Sequence, residues 1–340
     1  MRKRRIMVLM HEALIPPDSL EGVSDEEMMD WKTEFDVVKT LRLMGHEVLP
    51  VGVIDDLSKI RDAIMNFKPH LCFNLLEEFH GVGTYDQHVV GFLELLRQNY
   101  TGCNPRGLML SHDKSLAKKI LTYHRIATPK FVVINRGKKV RRLERREYPL
   151  LVKSVIEDAS LGISDASLVY DEAALIKQVA YLHDELKTDA LIEEYIEGRE
   201  FYVGILGNRR LTVLPVWELK FSKAPNIPKI ATAMVKWDTE TQERLGVETN
   251  AAVLTSELRE RIISLCKRVY RALDLSGYAR IDLRCNAQGK VYVLEANPNP
   301  NLSFGEDFAE SADSVGIEYE DLLKRIVNLG LNYQAHWRLV

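Results

Sequence analysis

The sequence predicts an α/β protein with an α+β remainder: an open parallel sheet at the N-terminus, then two further lobes. Three observations carry this. Short apolar runs alternate with helical periodicity up to Gln98, the rhythm changes after Ser111, and a hairpin near the end delivers three oxygen ligands. The 340 residues allow two or three domains at roughly 100–200 residues each.

Taken in order, Ile6–Met10 reads as a strand. Trp31–Met44 reads as a helix with Phe35, Val38, Leu41 and Leu43 tending to one side, stopped by Gly45. Val48–Val53 is a strand, Ile60–Phe67 a helix, Leu71–Leu75 a strand and Gln87–Gln98 a helix. No Gly-x-Gly-x-x-Gly turn follows the first strand, which argues against a nicotinamide or flavin site there. Asp113–Tyr123 is a short helix and Phe131–Ile134 a strand. The basic run Arg136–Arg146 reads as a solvated turn. Pro149–Val155 is an apolar strand interrupted by Lys153, Asp171–Leu186 a helix, and Leu191–Ile196 a strand ending at Gly198. Strands Phe201–Leu206 and Leu211–Trp217 follow. The aperiodic stretch Lys220–Lys236 has the length of a lid or binding loop. Ser256–Leu273 is a helix with a Ser cap, ended by Gly277, and Asp321–Leu329 is a closing amphipathic helix.

A net charge of −3 gives no electrostatic case for nucleic acid or an anionic membrane. Arg2–Arg5 precede an apolar run too short for a signal peptide, and no stretch approaches the roughly 20 apolar residues of a spanning helix. Cys72, Cys103, Cys266 and Cys285 lack metal spacing and read as reduced, mainly buried thiols of a cytoplasmic protein.

The chemistry concentrates in Arg280-Ile281-Asp282 and Val291 to Pro300. Asp282 lies in one strand, Asn286-Ala287-Gln288-Gly289 turns the chain, and Glu295 and Asn297 share a face of the next strand. Two carboxylates and an amide oxygen suit a hard cation such as Mg²⁺, which shares its shell with phosphates and water. Singly, each acid reads first as a solvated turn neighbour. Lys153 in an apolar strand needs a partner or a free edge. Behind it, Glu157 to Ile163, with Ser160 and Gly162, is a small-residue turn able to fold over phosphates. Lys114 and Lys236 read alone as surface charge. Leu191 to Glu200 is a strand end where a purine can pair with backbone and Glu200 can accept from ribose hydroxyls.

These motifs resemble the ATP-grasp carboxylate–amine ligases, and within them the D-alanine–D-alanine ligase group, from about His80 to the end. The resemblance implies three domains, 1–110, 111–197 and 198–340, with ATP between the last two. His80-Gly81-Val82-Gly83-Thr84-Tyr85-Asp86 is similar to the family's His-Gly-x-Gly-Gly-Glu-Asp loop, with Thr84 and Tyr85 departing. Tyr100-Thr101-Gly102 and Asp113-Lys114 resemble its Tyr-Thr-Gly and Asp-Lys elements. By the same resemblance, Lys114, Lys153 and the Glu157–Gly162 loop approach ATP phosphates. Glu193, Glu194, Tyr195 and Ile196 form the adenine linker, and Glu200 takes the ribose. Lys236 and Trp237 stand for a lid Lys-Tyr pair. Arg280 stabilises the reacting oxygens, and Asp282, Glu295 and Asn297 hold Mg²⁺, for which Mn²⁺ can substitute. The implied reaction is acyl-phosphate formation from ATP, then capture by an amine; the implied assembly is a homodimer.

Departures bear on substrate. Where the family's Asn-x-x-Pro-Gly-Met-Thr continues to a carboxylate-binding serine, this chain has Asn297 to Asp307, with Asn301 in the loop and Glu306 at the serine's place. A carboxylate there repels a carboxylate ligand and attracts an amine or guanidine. Ala159 and Trp237 remove hydroxyls. His11-Glu12 and the insertion Ala13–Leu20 replace the usual Gly-Gly, while Gly22-Val23-Ser24-Asp25-Glu26 resembles the family's Gly-x-Ser-x-Glu, whose glutamate binds the first substrate's ammonium. The expectation is an ATP-dependent ligase joining small-molecule carboxylate and amine substrates, amino acids or short peptides other than two D-alanines. A phosphotransferase on the same fold, and a nucleotide-binding regulatory protein without turnover, stay open.

Overall fold

The computed structural model describes residues 2–19, 24–140, 147–156, 164–223 and 238–338, without the side chains of 25–27 and 239. Three sheets organise them. The first holds β1 (Arg5–His11), β2 (Glu47–Val53) and β3 (Leu71–Asn74), all parallel in the order β2-β1-β3. β1 is the middle strand, and Ile6 through Met10 are all buried. A parallel strand covered on both faces reads as a continuous apolar run for that reason. Helices α2 (Lys32–Leu43) and α3 (Leu57–Phe67) make the two crossovers, preceded by the short α1 (Asp25–Asp30).

Helix α4 (Asp86–Leu95) leads to two successive helices where one was expected. α5 (Pro105–His112) is capped by Asn104, whose side chain accepts from Gly107 N at 3.0 Å, with proline in its first turn. α6 (Lys114–Tyr123) is capped by Asp113, which accepts from Leu116 N at 2.8 Å.

The central sheet holds β4 (Phe131–Ile134), β5 (Leu150–Ser154), β6 (Leu168–Val169) and β7 (Ala190–Glu194), antiparallel in the order β4-β7-β5-β6, covered by α7 (Glu172–Asp184). The large sheet orders β10-β9-β8-β11-β12 from β8 (Arg199–Gly207), β9 (Leu211–Phe221), β10 (Val247–Ala251), β11 (Tyr278–Cys285) and β12 (Val291–Pro298). β9 runs past its expected end at Trp217 because β10 pairs with its last residues. α8 (Thr239–Leu245) and β10 were not legible in an aperiodic, charged stretch. α9 (Ser256–Ala272) takes its cap from Thr255 rather than Ser256, since the Thr255 hydroxyl accepts from Leu258 N at 3.3 Å. α10 (Asp307–Asp313) and α11 (Tyr319–Asn332) close the fold.

The β11–β12 turn forms as expected, with Gly289 N donating to Asn286 O at 2.9 Å and Gly289 in the left-handed region at φ 73. One feature of β12 has no sequence signal. Asp282 stands opposite Glu295, but Leu283 stands opposite Val293, so Leu294 is an extra, bulged residue. Val291 and Val293 are buried in the core with α9. Strict alternation would send Glu295 into that core beside them. After the bulge Ala296 is the buried residue, and Glu295 and Asn297 turn to the other face.

The four cysteines are free and buried, and burial raises the pKa of each thiol. Among the described residues no helix is long and apolar enough to cross a membrane.

Candidate active site

The ends of β11 and β12 bring four expected residues together. Arg280 faces Asn297 and Asp282 faces Glu295 across the strand pair. Arg280 grips Asp282 with both ends of its guanidinium, Nε to Oδ1 at 2.8 Å and Nη2 to Oδ2 at 3.0 Å. Asn297 Nδ2 donates to the same Oδ2 at 3.0 Å. The guanidinium also lies over the Tyr202 ring at 4.7 Å. Burial opposes Arg280's charge, but Asp282 more than offsets it and drives the pKa up.

All donors in this set are oxygens, as Mg²⁺ requires, and Asp282 and Glu295 supply two carboxylates. Among the described residues no three His, Cys, Asp or Glu side chains cluster to hold a metal. The set therefore fits a cation shared with nucleotide phosphates and water, not a closed protein cage.

Facing it are three lysines. Lys114 Nζ lies 4.0 Å from Glu295 Oε2 and is only 5% exposed. Lys153 Nζ lies 3.5 Å from Glu193 Oε2. Lys153 is thus buried and paired, which excludes the free-edge reading. Its charge is disfavoured by burial but restored by Glu193 and then Glu295, with a net upward shift. The third, Lys118, was missed. It lies on the Lys114 face of α6 one turn on, and its Nζ meets Glu193 Oε1 at 2.9 Å, Thr128 Oγ1 at 2.8 Å and Leu294 O at 3.1 Å. The only available signal was the four-residue spacing from Lys114, which solvated helices show too.

The lysines also define the surroundings of Glu193. Expected in a linker along the nucleotide, it is 1% exposed and its carboxylate faces two ammonium groups. Burial would raise its pKa; Lys118 and Lys153 outweigh that and lower it. Glu194 Oε1 instead accepts from Lys130 N at 3.0 Å, and the N–H groups of Glu194 and Tyr195 donate to Lys130 O and Pro149 O. Glu200, expected as an acceptor for ribose hydroxyls, is buried and stands directly opposite Arg284 across β8 and β11. Arg284 Nε and Nη2 reach Glu200 Oε2 at 3.1 and 2.7 Å, and Tyr202 OH reaches Oε1 at 3.2 Å. The same guanidinium bonds Ile196 O at 2.9 Å and lies over the Tyr195 ring at 5.0 Å. Arg284 therefore fastens the strand end that carries Tyr195, Ile196 and Glu200, a role no sequence motif announced.

Beyond β12, the loop Asn301–Phe304 is clasped by the first turn of α2. Thr33 Oγ1 donates to Asn301 Oδ1 at 2.9 Å and shares a 2.6 Å bond with Ser303 Oγ. Phe304 N donates to Asp36 Oδ2 at 2.9 Å, and Lys32 bonds both Asp36 and Phe304 O. Glu306 follows this loop. The residue is exposed; partial desolvation by neighbouring groups and then Asp307 raise its pKa, against Lys32 and Arg280.

His80 is exposed, and its partners, Asp55 at 3.8 Å and Ile54 O at 2.6 Å, belong to the β2 end of the first sheet rather than to the β11–β12 cluster. Glu26 falls within α1, but its side chain lies outside the described residues, as do Glu157, Ser160, Gly162, Lys236 and Trp237.

The chain is similar to known proteins along most of its length. The family described as D-ala D-ala ligase C-terminus matches residues 120–328. A protein described as uncharacterized protein y4sG of Sinorhizobium fredii is 31% identical over 301 residues, covering 86% of this chain and 85% of its own. The D-alanine–D-alanine ligase of Bacillus anthracis is 28% identical over 312 residues, covering 91% and 95%. The structure of a Bacillus anthracis D-alanine–D-alanine ligase complexed with ATP superposes with a TM-score of 0.73 at 26% identity, over 96% of this chain and 97% of that one. VanG D-Ala:D-Ser ligase from Enterococcus faecalis, at 20% identity and a TM-score of 0.69 over 97% and 100%, shares the fold. With a family match over more than half its length and ligase relatives along nearly all of it, the chain belongs to the D-alanine–D-alanine ligase family of ATP-dependent, ATP-grasp ligases.

Proposed function

We propose that this protein joins a carboxylic acid to an amine through an acyl phosphate, and that its substrates are amino acids or short peptides other than two D-alanines. The observation that carries the ligase reading is the convergence of Arg280, Asp282, Glu295 and Asn297 with Lys114 and Lys153. In this reading the substrate carboxylate oxygen attacks the γ-phosphorus of ATP and ADP leaves. The amine nitrogen then attacks the acyl carbon and inorganic phosphate leaves. Arg280 stabilises charge on the reacting oxygens, and Lys114 and Lys153 neutralise phosphate charge, a contribution that is often the largest in catalysis. Asp282, Glu295 and Asn297 would hold Mg²⁺, or Mn²⁺ in its place, which supplies Lewis-acid neutralisation of the phosphates. Tyr195, Ile196 and Glu200 would line the nucleoside, with Arg284 fixing their strand end. The loop around Glu157, Ser160 and Gly162, and the pair Lys236 and Trp237, would close over ATP and exclude water.

The acceptor reading rests on Glu306. Its carboxylate, next to Asp307, favours a cationic or amine-bearing acceptor over one presenting a carboxylate. Glu26, His80 and Asn301 complete the proposed substrate side. Residues 1–110, 111–197 and 198–340 are proposed as the three domains, and the protein as a cytoplasmic homodimer acting on neither nucleic acid nor membrane.

The test is phosphate release from Mg·ATP against amino acids and dipeptides, singly and in pairs, with product masses. Release that needs a specific pair, and a product of summed mass less water, supports the ligase. A phosphorylated product from one substrate means a phosphotransferase. ATP binding without turnover across the panel means a regulatory protein. Robust D-Ala–D-Ala synthesis at physiological concentrations overturns the substrate reading.

A further inference from the structure

We propose that Lys118 is a positioning residue for the metal site, holding the Leu294 bulge so that Glu295 is aimed out of the core and toward the phosphates. This rests on the metal-site reading above.

The need for such a residue follows from β12. Up to Val293 the strand alternates so that odd-numbered residues enter the core with α9, and Glu295 is odd-numbered. Only the extra residue Leu294 changes the phase. A bulge leaves its own backbone groups outside the regular ladder, and β12 is the edge strand of its sheet. Without partners those groups would leave the edge free to straighten or slip. The chain around α6 supplies the partners. Val293 N donates to Ala127 O at 2.9 Å, and the bulged carbonyl, Leu294 O, accepts from Lys118 Nζ at 3.1 Å.

Lys118 is 1% exposed, an expensive place for an ammonium group unless all its donors are used. It donates to Leu294 O of the large sheet and to Thr128, and forms an ion pair with Glu193 of the central sheet. One nitrogen thus ties together the two sheets between which ATP is proposed to lie. Lys114, one turn earlier, approaches the Glu295 carboxylate itself. The same helix face therefore addresses both the ligand and the backbone that aims it.

The experiment compares Lys118→Met, Lys118→Arg and Thr128→Val with the wild-type protein. Hydrogen exchange of residues 291–298 is measured without ligands, and Mn²⁺ binding in the presence of ADP is measured by electron paramagnetic resonance. Lys118→Met should speed exchange at the bulge and weaken Mn²⁺ binding by about tenfold or more, the usual effect of removing a group that orients a metal ligand. Lys118→Arg, which keeps a donor, should recover part of the loss if Lys118→Met folds poorly. Thr128→Val should leave Mn²⁺ binding within about threefold, because the bulge keeps its donor. An equal Mn²⁺ loss in Thr128→Val, or unchanged exchange and Mn²⁺ binding in Lys118→Met, overturns the proposal. No ADP-dependent Mn²⁺ binding by the wild-type protein refutes the metal-site reading beneath it, a separately recognisable result.

Discussion

Glu34 lies in the first turn of α2, the turn that clasps the loop leading to Glu306, yet it is 5% exposed. Burial, with Glu77 adding a like charge, raises its pKa from an ordinary 4.5 to about 7 against the pull of a backbone hydrogen bond. The folded state therefore keeps a proton that the unfolded chain releases. Below pH 4.5 both states hold it and the group has no effect on stability. Between 4.5 and about 7 only the folded state holds it, so stability falls as pH rises. At about 1.4 kcal/mol per pH unit, the full penalty is roughly 3 kcal/mol above pH 7. Glu34→Gln removes the ionisation and keeps the size. Measured by urea unfolding at pH 4.5, 6 and 8, the variant should match the wild type at the first pH. It should gain roughly 3 kcal/mol over it at the last. Because the two proteins share every other titration, only the difference between their curves is read. Parallel curves across this range would refute the reasoning, since no proton would then be retained at Glu34 on folding.

Three further outcomes follow from the site. Arg280→Lys, which cannot reproduce the two-pronged grip on Asp282, should lower kcat by about 100- to 1,000-fold in a phosphate-release assay; a loss confined to KM would contradict its proposed role on the reacting oxygens. Glu200→Gln leaves Arg284 buried without its anion and should cost about 3–5 kcal/mol in urea unfolding; a change below about 1 kcal/mol would show that Arg284 is held by Ile196 O and Tyr195 alone. Glu306→Ser should shift the ratio of kcat/KM values toward carboxylate-bearing acceptors by about tenfold or more in competition assays; an unchanged ratio would remove Glu306 from the acceptor site.

By itself the sequence determined the elements whose signal is local. The N-terminal rhythm of apolar runs and helices reports a parallel sheet because buried strands and crossover helices have different periods. The Asn286–Gly289 turn and the two-residue spacings Arg280/Asp282 and Glu295/Asn297 were legible because a turn signal and alternation along one strand are local. Tertiary structure decided what counting cannot. Charge partners came from residues far apart in the chain. Glu193 became the shared anion of Lys118 and Lys153, and Glu200 was drawn to Arg284 across a strand pair. α5 carried its own start signal at Asn104-Pro105, but α8 and β10 gained definition only by closing onto the end of β9. The bulge at Leu294 is the clearest case. Alternation in the sequence sends Glu295 into the core, and one extra residue, bonded by a lysine 176 positions earlier, turns it out. Local periodicity follows from the backbone's geometry, whereas the direction of a buried charge follows from whatever partner can offset the cost of removing it from water.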